Sequence, residues 1–404
     1  MKKYILCQVC ENVLPKKFLD LGKQPLCDDL INIKKNIKCK LFPIKVSLCP
    51  KCLTANQLHE VNEKILFPKN YHYRARLTED VLKGMNELVS STVKLCKNKN
   101  KKYTVLDIGC NDGSLLNYFY KENFNTIGVE PTNAAKDCNK KHKIYNSYFN
   151  SSLAKKIINQ NKQVDVITFT NVFAHINNFP ELTFALKIII KANPRVLIII
   201  ENHYLGSILK KKQFDTFYQE HPRTYSLNSF AYIGKLLNLN LSKVKFPKRY
   251  GGNIRVYYST LKAVNVNKIL REEKKFIPIF NSFNSIIKKW VTKKRKEIKN
   301  IKKDYTIIGK AFPGRASILI NLLKVNREDI LCIYEKENSK KIGFKVPGTT
   351  IPIVSDKNLY KIKNKNNFLI INFAWHIKDE IKKYLKKRGI KNKLLNIIES
   401  KDFS

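Results

Sequence analysis

At 404 residues and 47.1 kDa the chain exceeds one ordinary domain, and at roughly 150 residues per domain two to three are expected. Hydrophobic residues make up 43% and aromatics 11%, with only 14 Gly and 14 Pro, which excludes a disordered or fibrous chain. The formal charge of +45 has the sign of a nucleic-acid binder, but it is carried by 66 Lys against 11 Arg, beside Asn and Ile throughout, a pattern of AT-rich composition on solvated faces rather than a selected phosphate-reading stripe. Such a field still favours anionic substrates such as nucleotide diphosphates and attracts nucleic acid weakly at low salt. No run reaches the roughly 18 apolar residues of a membrane helix, and Met1-Lys-Lys leads to Gln8 and two cysteines instead of a signal-peptide core, so no membrane partner and a cytoplasmic location are expected.

In chain order, Cys7-Gln-Val-Cys10 and Cys49-Pro-Lys-Cys52 each set two thiols one tight turn apart, the spacing by which two knuckles enclose one tetrahedral zinc. Four thiolates close the coordination sphere, so the expected site is structural, not catalytic. Residues 18–22 and Leu41–Leu48 read as strands between the knuckles; Cys27 and Cys39 have no partner spacing. Tyr71-His-Tyr-Arg74 follows as a cluster of hydrogen-bonding side chains.

Val105-Leu-Asp-Ile-Gly-Cys-Asn-Asp-Gly-Ser114 is an apolar strand running into a glycine turn and then a helix. It lacks the three-glycine dinucleotide fingerprint and the Gly-Lys-Ser of a phosphate loop. Some 20 residues on, Ile127-Gly-Val-Glu-Pro131 ends a second strand with a carboxylate suited to ribose hydroxyls. Further strands are expected at 164–170 and 196–201 with helices between, the alternation of a doubly wound sheet, and ligands of such sheets lie beyond the strand carboxyl ends. Asn171 to His175 leaves one of those ends. Tyr218, Glu220, His221, Arg223 and Tyr225 crowd eight positions, too polar for core, and Tyr250-Gly-Gly-Asn-Ile-Arg255 puts two glycines where a ligand or backbone can approach. Residues 264–303 read as a long Lys-rich helical stretch, apolar at Ile269, Phe276, Ile279, Phe280 and Phe283, bridging two domains. From Tyr305 a shorter strand and helix alternation runs through strands at 330–334 and 368–373.

Asp107, Gly109 and Gly113 resemble the first motif of class I S-adenosylmethionine (SAM) methyltransferases. Taken together, the paired CxxC module, the Tyr-x-Tyr-Arg cluster, the VLDIGCNDG loop, Asn171 to His175, Phe214 to His221 and Gly251-Gly-Asn resemble the sugar C-methyltransferase family, whose members act on nucleotide-linked keto-deoxysugars. The likeness extends into the C-terminal third through Ile307-Ile-Gly-Lys-Ala-Phe-Pro-Gly-Arg-Ala-Ser317 and Lys341-Ile-Gly-Phe-Lys-Val-Pro-Gly-Thr-Thr-Ile-Pro352. The resemblance implies an α/β chain: a small zinc-binding module (1–70), a Rossmann-like class I SAM methyltransferase domain (71–245) and a second Rossmann-like domain (246–404, with the linking helix at about 264–303). It implies a nucleotide-sugar substrate, SAM as cofactor and structural zinc on Cys7, Cys10, Cys49 and Cys52. Cofactor contacts fall on Asp107, Gly109, Cys110, Asn111, Gly113, Glu130 and Asn171, and substrate contacts on Tyr71, Arg74, Arg223, Gly251, Gly252 and Asn253. The Tyr-x-Glu-His motif maps onto Tyr218, Glu220 and His221, with the His as base. Two departures lie near the presumed acceptor: Pro222-Arg223 after His221, and Asn253 where Ser is usual.

Methylating carbon beside a ketone requires removal of an α proton, stabilisation of an enolate and an electrophilic methyl group. His221 is the expected general base with Glu220 orienting it, and Tyr218, His175 and Tyr73 are candidate donors to the oxyanion. A zinc-ribbon RNA methyltransferase, an O-methyltransferase and a non-catalytic cofactor-binding protein on the same fold are the competing readings; nucleic acid is the less favoured partner, and a monomer or homodimer is expected.

Overall fold

The computed structural model describes residues 2–69, 73–96, 98, 100–161, 163–362 and 367–403. The chain divides into two units: the first contains residues 1–16, 48–207 and 220–277, the second residues 17–47, 208–219 and 278–404. The stretch between the two cysteine pairs therefore groups with the C-terminal third.

The first unit is built on a seven-stranded sheet of β1 (Thr104–Ile108), β2 (Asn125–Val129), β3 (Lys143–Tyr145), β4 (Val166–Thr170), β5 (Leu197–His203), β6 (Asn240–Lys245) and β7 (Asn253–Ser259), in the order β6-β7-β5-β4-β1-β2-β3. β1 to β5 are parallel, while β7 runs antiparallel to both β5 and β6. The reversal between β1 and β4 makes the switch point where ligands of open α/β sheets bind. β1 is buried at all five positions, as a strand covered on both faces must be. Helix α1 (Glu79–Val93) and helix α2 (Ser114–Lys121) cover one face, packing Met85, Leu88, Leu115 and Phe119 against Val105, Val166 and Ile199. Helix α3 (Ser151–Asn161) is followed by α4 (Phe179–Ala192), whose first turn is capped by Asn178, and α5 (Leu227–Leu236) starts on a reciprocal Ser226–Ser229 capping box. The strands begin or end within two residues of the sequence expectation.

The stretch at 264–303 is helical but not one helix. It breaks into Asn267–Glu272, Phe276–Asn281 and α6 (Phe283–Ile301). Pro278 has no amide hydrogen and so sits in the first turn of a new segment, and the Ser282 hydroxyl donates to the Ile279 carbonyl (2.7 Å), competing with the helix ladder. The buried face of α6 continues past Phe283 through Ile287, Trp290 and Ile298.

The second unit carries a parallel five-stranded sheet of β8 (Thr306–Lys310), β9 (Ile333–Glu335), β10 (Ile353–Ser355), β11 (Phe368–Asn372) and β12 (Leu394–Asn396), ordered β10-β9-β8-β11-β12. Helices α7 (Ala316–Leu323) and α8 (Lys378–Lys387) belong to it, as does a hairpin of Leu19–Pro25 with Leu41–Leu48. The strand expected at 330–334 starts later because Asp329 and Ile330 donate their amides back to the Asn326 carbonyl in a turn. Lys310, at the end of β8, is buried and bonds the Asp356 carboxylate (2.8 Å), which the Tyr384 hydroxyl of α8 also reaches. Burial acts to raise the Asp356 carboxyl, but the bonds from Lys310 and Tyr384 outweigh it and hold it below the usual carboxylate value.

Removing one member of a buried pair leaves the other charge uncompensated, at a cost of about 3–5 kcal/mol. Asp356→Asn should therefore lower the melting temperature of the full-length protein by several degrees near pH 7. Because the native carboxyl has the lower pKa, the wild-type advantage is present above the unfolded value of 3.8 and disappears as pH falls through the native value. Equal melting of the two proteins at pH 7 would show that the pair contributes nothing.

Candidate active site

The four cysteine sulfurs come together: Cys7 lies 3.5 Å from Cys52, Cys10 lies 3.5 Å from Cys49, and all four lie within 4.8 Å of one another. A tetrahedron with zinc–sulfur bonds of about 2.3 Å has sulfur–sulfur edges of roughly 3.8 Å, so the set fits zinc. The knuckles match each other in backbone. Glu11 and Leu53, four residues after Cys7 and Cys49, have φ of 59° and 54°, and each donates its amide to the carbonyl of that cysteine. Cys27 and Cys39 lie elsewhere, in the second unit.

The second knuckle runs directly into the segment that carries His221. Thr54 bonds Ser229 (2.9 Å), the Ser229 hydroxyl donates to the Cys52 carbonyl (3.2 Å), and Ala55–Gln57 pairs antiparallel with Arg223–Thr224. The Gln57 amide donates to the Pro222 carbonyl (2.8 Å). Arg223 is wholly buried; it donates to the Tyr225 hydroxyl (3.0 Å), the Asn177 carbonyl (3.1 Å), the Ile176 carbonyl and the Gln8 side chain. These bonds make Arg223 a staple between the knuckles and the loop after β4.

At the carboxyl end of β1, Gly109 adopts φ +73°, and a Cβ there would lie 2.5 Å from a Val172 methyl, so only glycine fits. Asn111 is left-handed (φ 50°) and receives the Ala75 amide (3.0 Å), while Asp112 receives the Arg76 amide (3.0 Å) and the Ser114 hydroxyl (2.6 Å). The segment Tyr73 to Arg76 is thereby strapped onto the loop. Arg74 is buried against Asp137 (2.7 Å) and Asn133 (3.2 Å), and Tyr73 is exposed. Tyr71 lies outside the described residues. Glu130, just past β2, accepts from the Asn111 amide (3.0 Å) and from the Thr132 amide and hydroxyl (2.9 and 2.6 Å). Asp107 is buried and its pKa is raised to about 7, chiefly by desolvation, with the Thr168 hydroxyl (2.7 Å) opposing and the Glu130 charge adding. Cys110 is core beneath the loop.

Three imidazoles meet beyond β4 and β5. The His221 ring centre lies 4.8 Å from that of His175 and 5.7 Å from that of His203, the last residue of β5. His175 Nδ1 donates to the Glu220 carbonyl (2.7 Å). Desolvation lowers the His175 pKa to about 4 despite that bond, so the ring is neutral near pH 7. A neutral imidazole carries one N–H, and on Nδ1 it faces the Glu220 carbonyl. Tyr218 falls in the second unit. Sequence reasoning missed His203, although a titratable residue at the carboxyl end of a central strand was the available signal.

It also missed the polar network under Gly251-Gly-Asn253. Glu201 on β5 is fully buried between Arg249 and Arg255 and accepts from the Asn253 amide (3.0 Å), which also donates to the Asn171 side chain (3.2 Å). Asn171 is left-handed (φ 55°) and returns its own amide to the Glu201 carbonyl (2.8 Å).

Comparisons with known proteins agree with this arrangement. Family models match in three consecutive blocks: a zinc-binding domain at 7–67, a methyltransferase domain at 74–244 and a C-methyltransferase C-terminal domain at 248–394. The chain is a SAM-dependent C-methyltransferase. A relative spanning nearly the whole length is the C-methyltransferase NovU of Streptomyces niveus, 24% identical over 397 residues, which are 95% of this chain and 93% of that protein. Among solved structures, the plantazolicin methyltransferase BpumL bound to a pentazolic desmethylPZN analog and SAH is 16% identical over 45% of this chain and 84% of its own (TM-score 0.34). A SAM-dependent methyltransferase from Archaeoglobus fulgidus is 19% identical over 52% and 92% (TM-score 0.33). Among the described residues, no helix of this C-methyltransferase is long and apolar enough to cross a membrane.

Two outcomes are expected. The purified protein should hold about one zinc per chain, and Cys49→Ser should lose it together with protease resistance around Arg223 and His221, as seen by limited proteolysis. Because native His175 has a pKa near 4 against an unfolded value of 6.5, the unfolded state binds more protons between those values, and stability should rise with pH across that window. His142 shows the same downward shift from burial, so the His175 share is the part of the slope that His175→Gln removes in urea titrations at successive pH values.

Proposed function

We propose that this C-methyltransferase acts on a nucleotide-linked keto-deoxysugar, with His221 removing the proton α to the ketone and the resulting enolate carbon accepting the methyl group. The carrying observation is the placement of His221: 6% exposed, beside neutral His175 and at the same sheet end as the Gly109 to Gly113 loop. Asp107, Gly109, Asn111, Gly113, Glu130 and Asn171 would hold SAM, which when bound would supply an electrophilic methyl sulfonium. A base working near pH 7 must be neutral at rest, and an imidazole meets that need; Glu220, next in the chain, stabilises the imidazolium that forms. Burial of His221 slows protonation by bulk water while the acceptor is bound.

Tyr73 is the proposed donor to the enolate oxygen, with His175 holding the base segment in place. Gly251, Gly252 and Asn253 offer backbone to the acceptor, on a floor fixed by Glu201. The bias of the chain toward positive charge favours a diphosphate-bearing substrate, and in the proposed division into a zinc module (1–70), a methyltransferase domain (71–245) and a C-terminal substrate domain (246–404) the nucleotide belongs to the last of these.

The test uses a panel of nucleoside-diphosphate 4-keto-6-deoxyhexoses in heavy water, with SAH in place of SAM. The wild-type protein should exchange the α proton of one panel member for deuterium, and with SAM should methylate that carbon. His221→Ala should lose both by roughly 10²–10⁴-fold, the span typical of a general base. Full methyl transfer by His221→Ala would remove the base assignment, and absence of exchange or transfer across the panel would remove the sugar reading.

A further inference from the structure

A cavity of about 550 Å³ opens between α1 and the β6 edge of the seven-stranded sheet. None of the residues assigned above to metal or cofactor, and none of the imidazoles, lines it. Lys94 at the end of α1, Lys243 and Lys245 on β6 and Arg255 on β7 all contribute to its wall, against one carboxylate, Glu87. Arg255 is committed to Glu201 and to the Gly84 carbonyl (3.2 Å), which fixes its guanidinium in place. Among the described residues no ion pair joins Lys94, Lys243 or Lys245 to a carboxylate; Lys243 lies over the Tyr257 ring (5.4 Å), and the charges act on one another: the Lys243 pKa is lowered first by burial and then by Lys245, Lys94 and Arg255. Ser90 and Ser91 add hydroxyls from α1, and Phe246, 43% exposed, adds an aromatic face.

Lys294 and Lys310 are buried and paired with carboxylates. Here three lysines share one concavity whose size falls within the roughly 300–1,000 Å³ of small-ligand sites. Bringing like charges together costs free energy that an anion would offset, and phosphate oxygens suit Lys ammonium groups and hydroxyls. An exposed ring beside such a cluster suits stacking of a base.

We propose that this cavity binds a small phosphate-bearing ligand of the nucleotide class, with its phosphates against Lys94, Lys243 and Lys245 and its base on Phe246. Lys94, Lys243, Lys245 and Phe246 lie outside the residues assigned to methyl transfer, and the proposal stands whatever acceptor the enzyme uses.

The experiment is calorimetric titration of the full-length, zinc-loaded protein, saturated with SAH so that the cofactor site is filled, at physiological salt. The probes are inorganic pyrophosphate and ADP. One equivalent of each should bind, and the double variant Lys243→Gln/Lys245→Gln should weaken both by roughly tenfold or more, with SAH affinity and melting temperature kept as the check on folding. Phe246→Ala should weaken ADP and leave pyrophosphate unchanged; if it leaves both unchanged, the placement of a base on Phe246 is overturned and only a phosphate site remains. No saturable binding of either probe, or equal binding by wild type and the double variant, overturns the proposal.

Discussion

The enclosure of one metal ion by four thiolates is the constraint on which the base segment depends. The residues around Cys7, Cys10, Cys49 and Cys52 make too small a core to fold alone, whereas structural zinc contributes about 10–16 kcal/mol in isolated fingers, as much as or more than the roughly 5–15 kcal/mol that stabilises a whole domain. That energy reaches the active site over a short path. Cys52 leads to Thr54, Thr54 bonds Ser229 at the start of α5, and the next three residues form the strand that pairs with Arg223 and Thr224, which begin two residues beyond His221. A metal site far from chemistry in function is therefore adjacent to it in hydrogen bonds.

The second constraint is electrostatic. Glu201, two Arg and Asn253 form a buried group with one net positive charge, tolerable because the carboxylate accepts three side-chain donors. Asn253 stands where the resembling family has Ser, and the geometry explains what the amide adds. Its nitrogen donates to both Glu201 and Asn171, and a single hydroxyl hydrogen could not serve both. The amide thus ties the loop after β6 to the loop after β4, which face the acceptor and the cofactor respectively in the proposed reading.

Much of the fold was legible because it rests on local patterns. The Val105 to Gly113 run combined a strand apolar except for Asp107 with glycines at left-handed positions, and the cysteine spacing allowed little besides a knuckle pair. What stayed hidden depends on contacts distant in sequence. Nothing local indicates that Arg223, in the midst of a polar cluster, spends its donors on Gln8 and on the carbonyls of Ile176 and Asn177, or that Arg249 and Arg255 converge on Glu201 from some 50 residues away. The helical stretch at 264–303 failed for the opposite reason: its apolar periodicity was genuine, but Pro278 and Ser282 broke it locally.

The imidazole cluster shows how placement sets roles among chemically identical side chains. His175 gives its one neutral N–H to the Glu220 carbonyl in a site so desolvated that a second proton binds only near pH 4. It is therefore neutral near pH 7, so protonation of His221 in the proposed step would not set two positive charges at a ring separation of 4.8 Å. His203 lies 5.7 Å from His221 and is less buried. One imidazole holds the backbone, one is the proposed proton acceptor, and the third adjoins it at the edge, a division that burial and a single carbonyl bond are sufficient to produce.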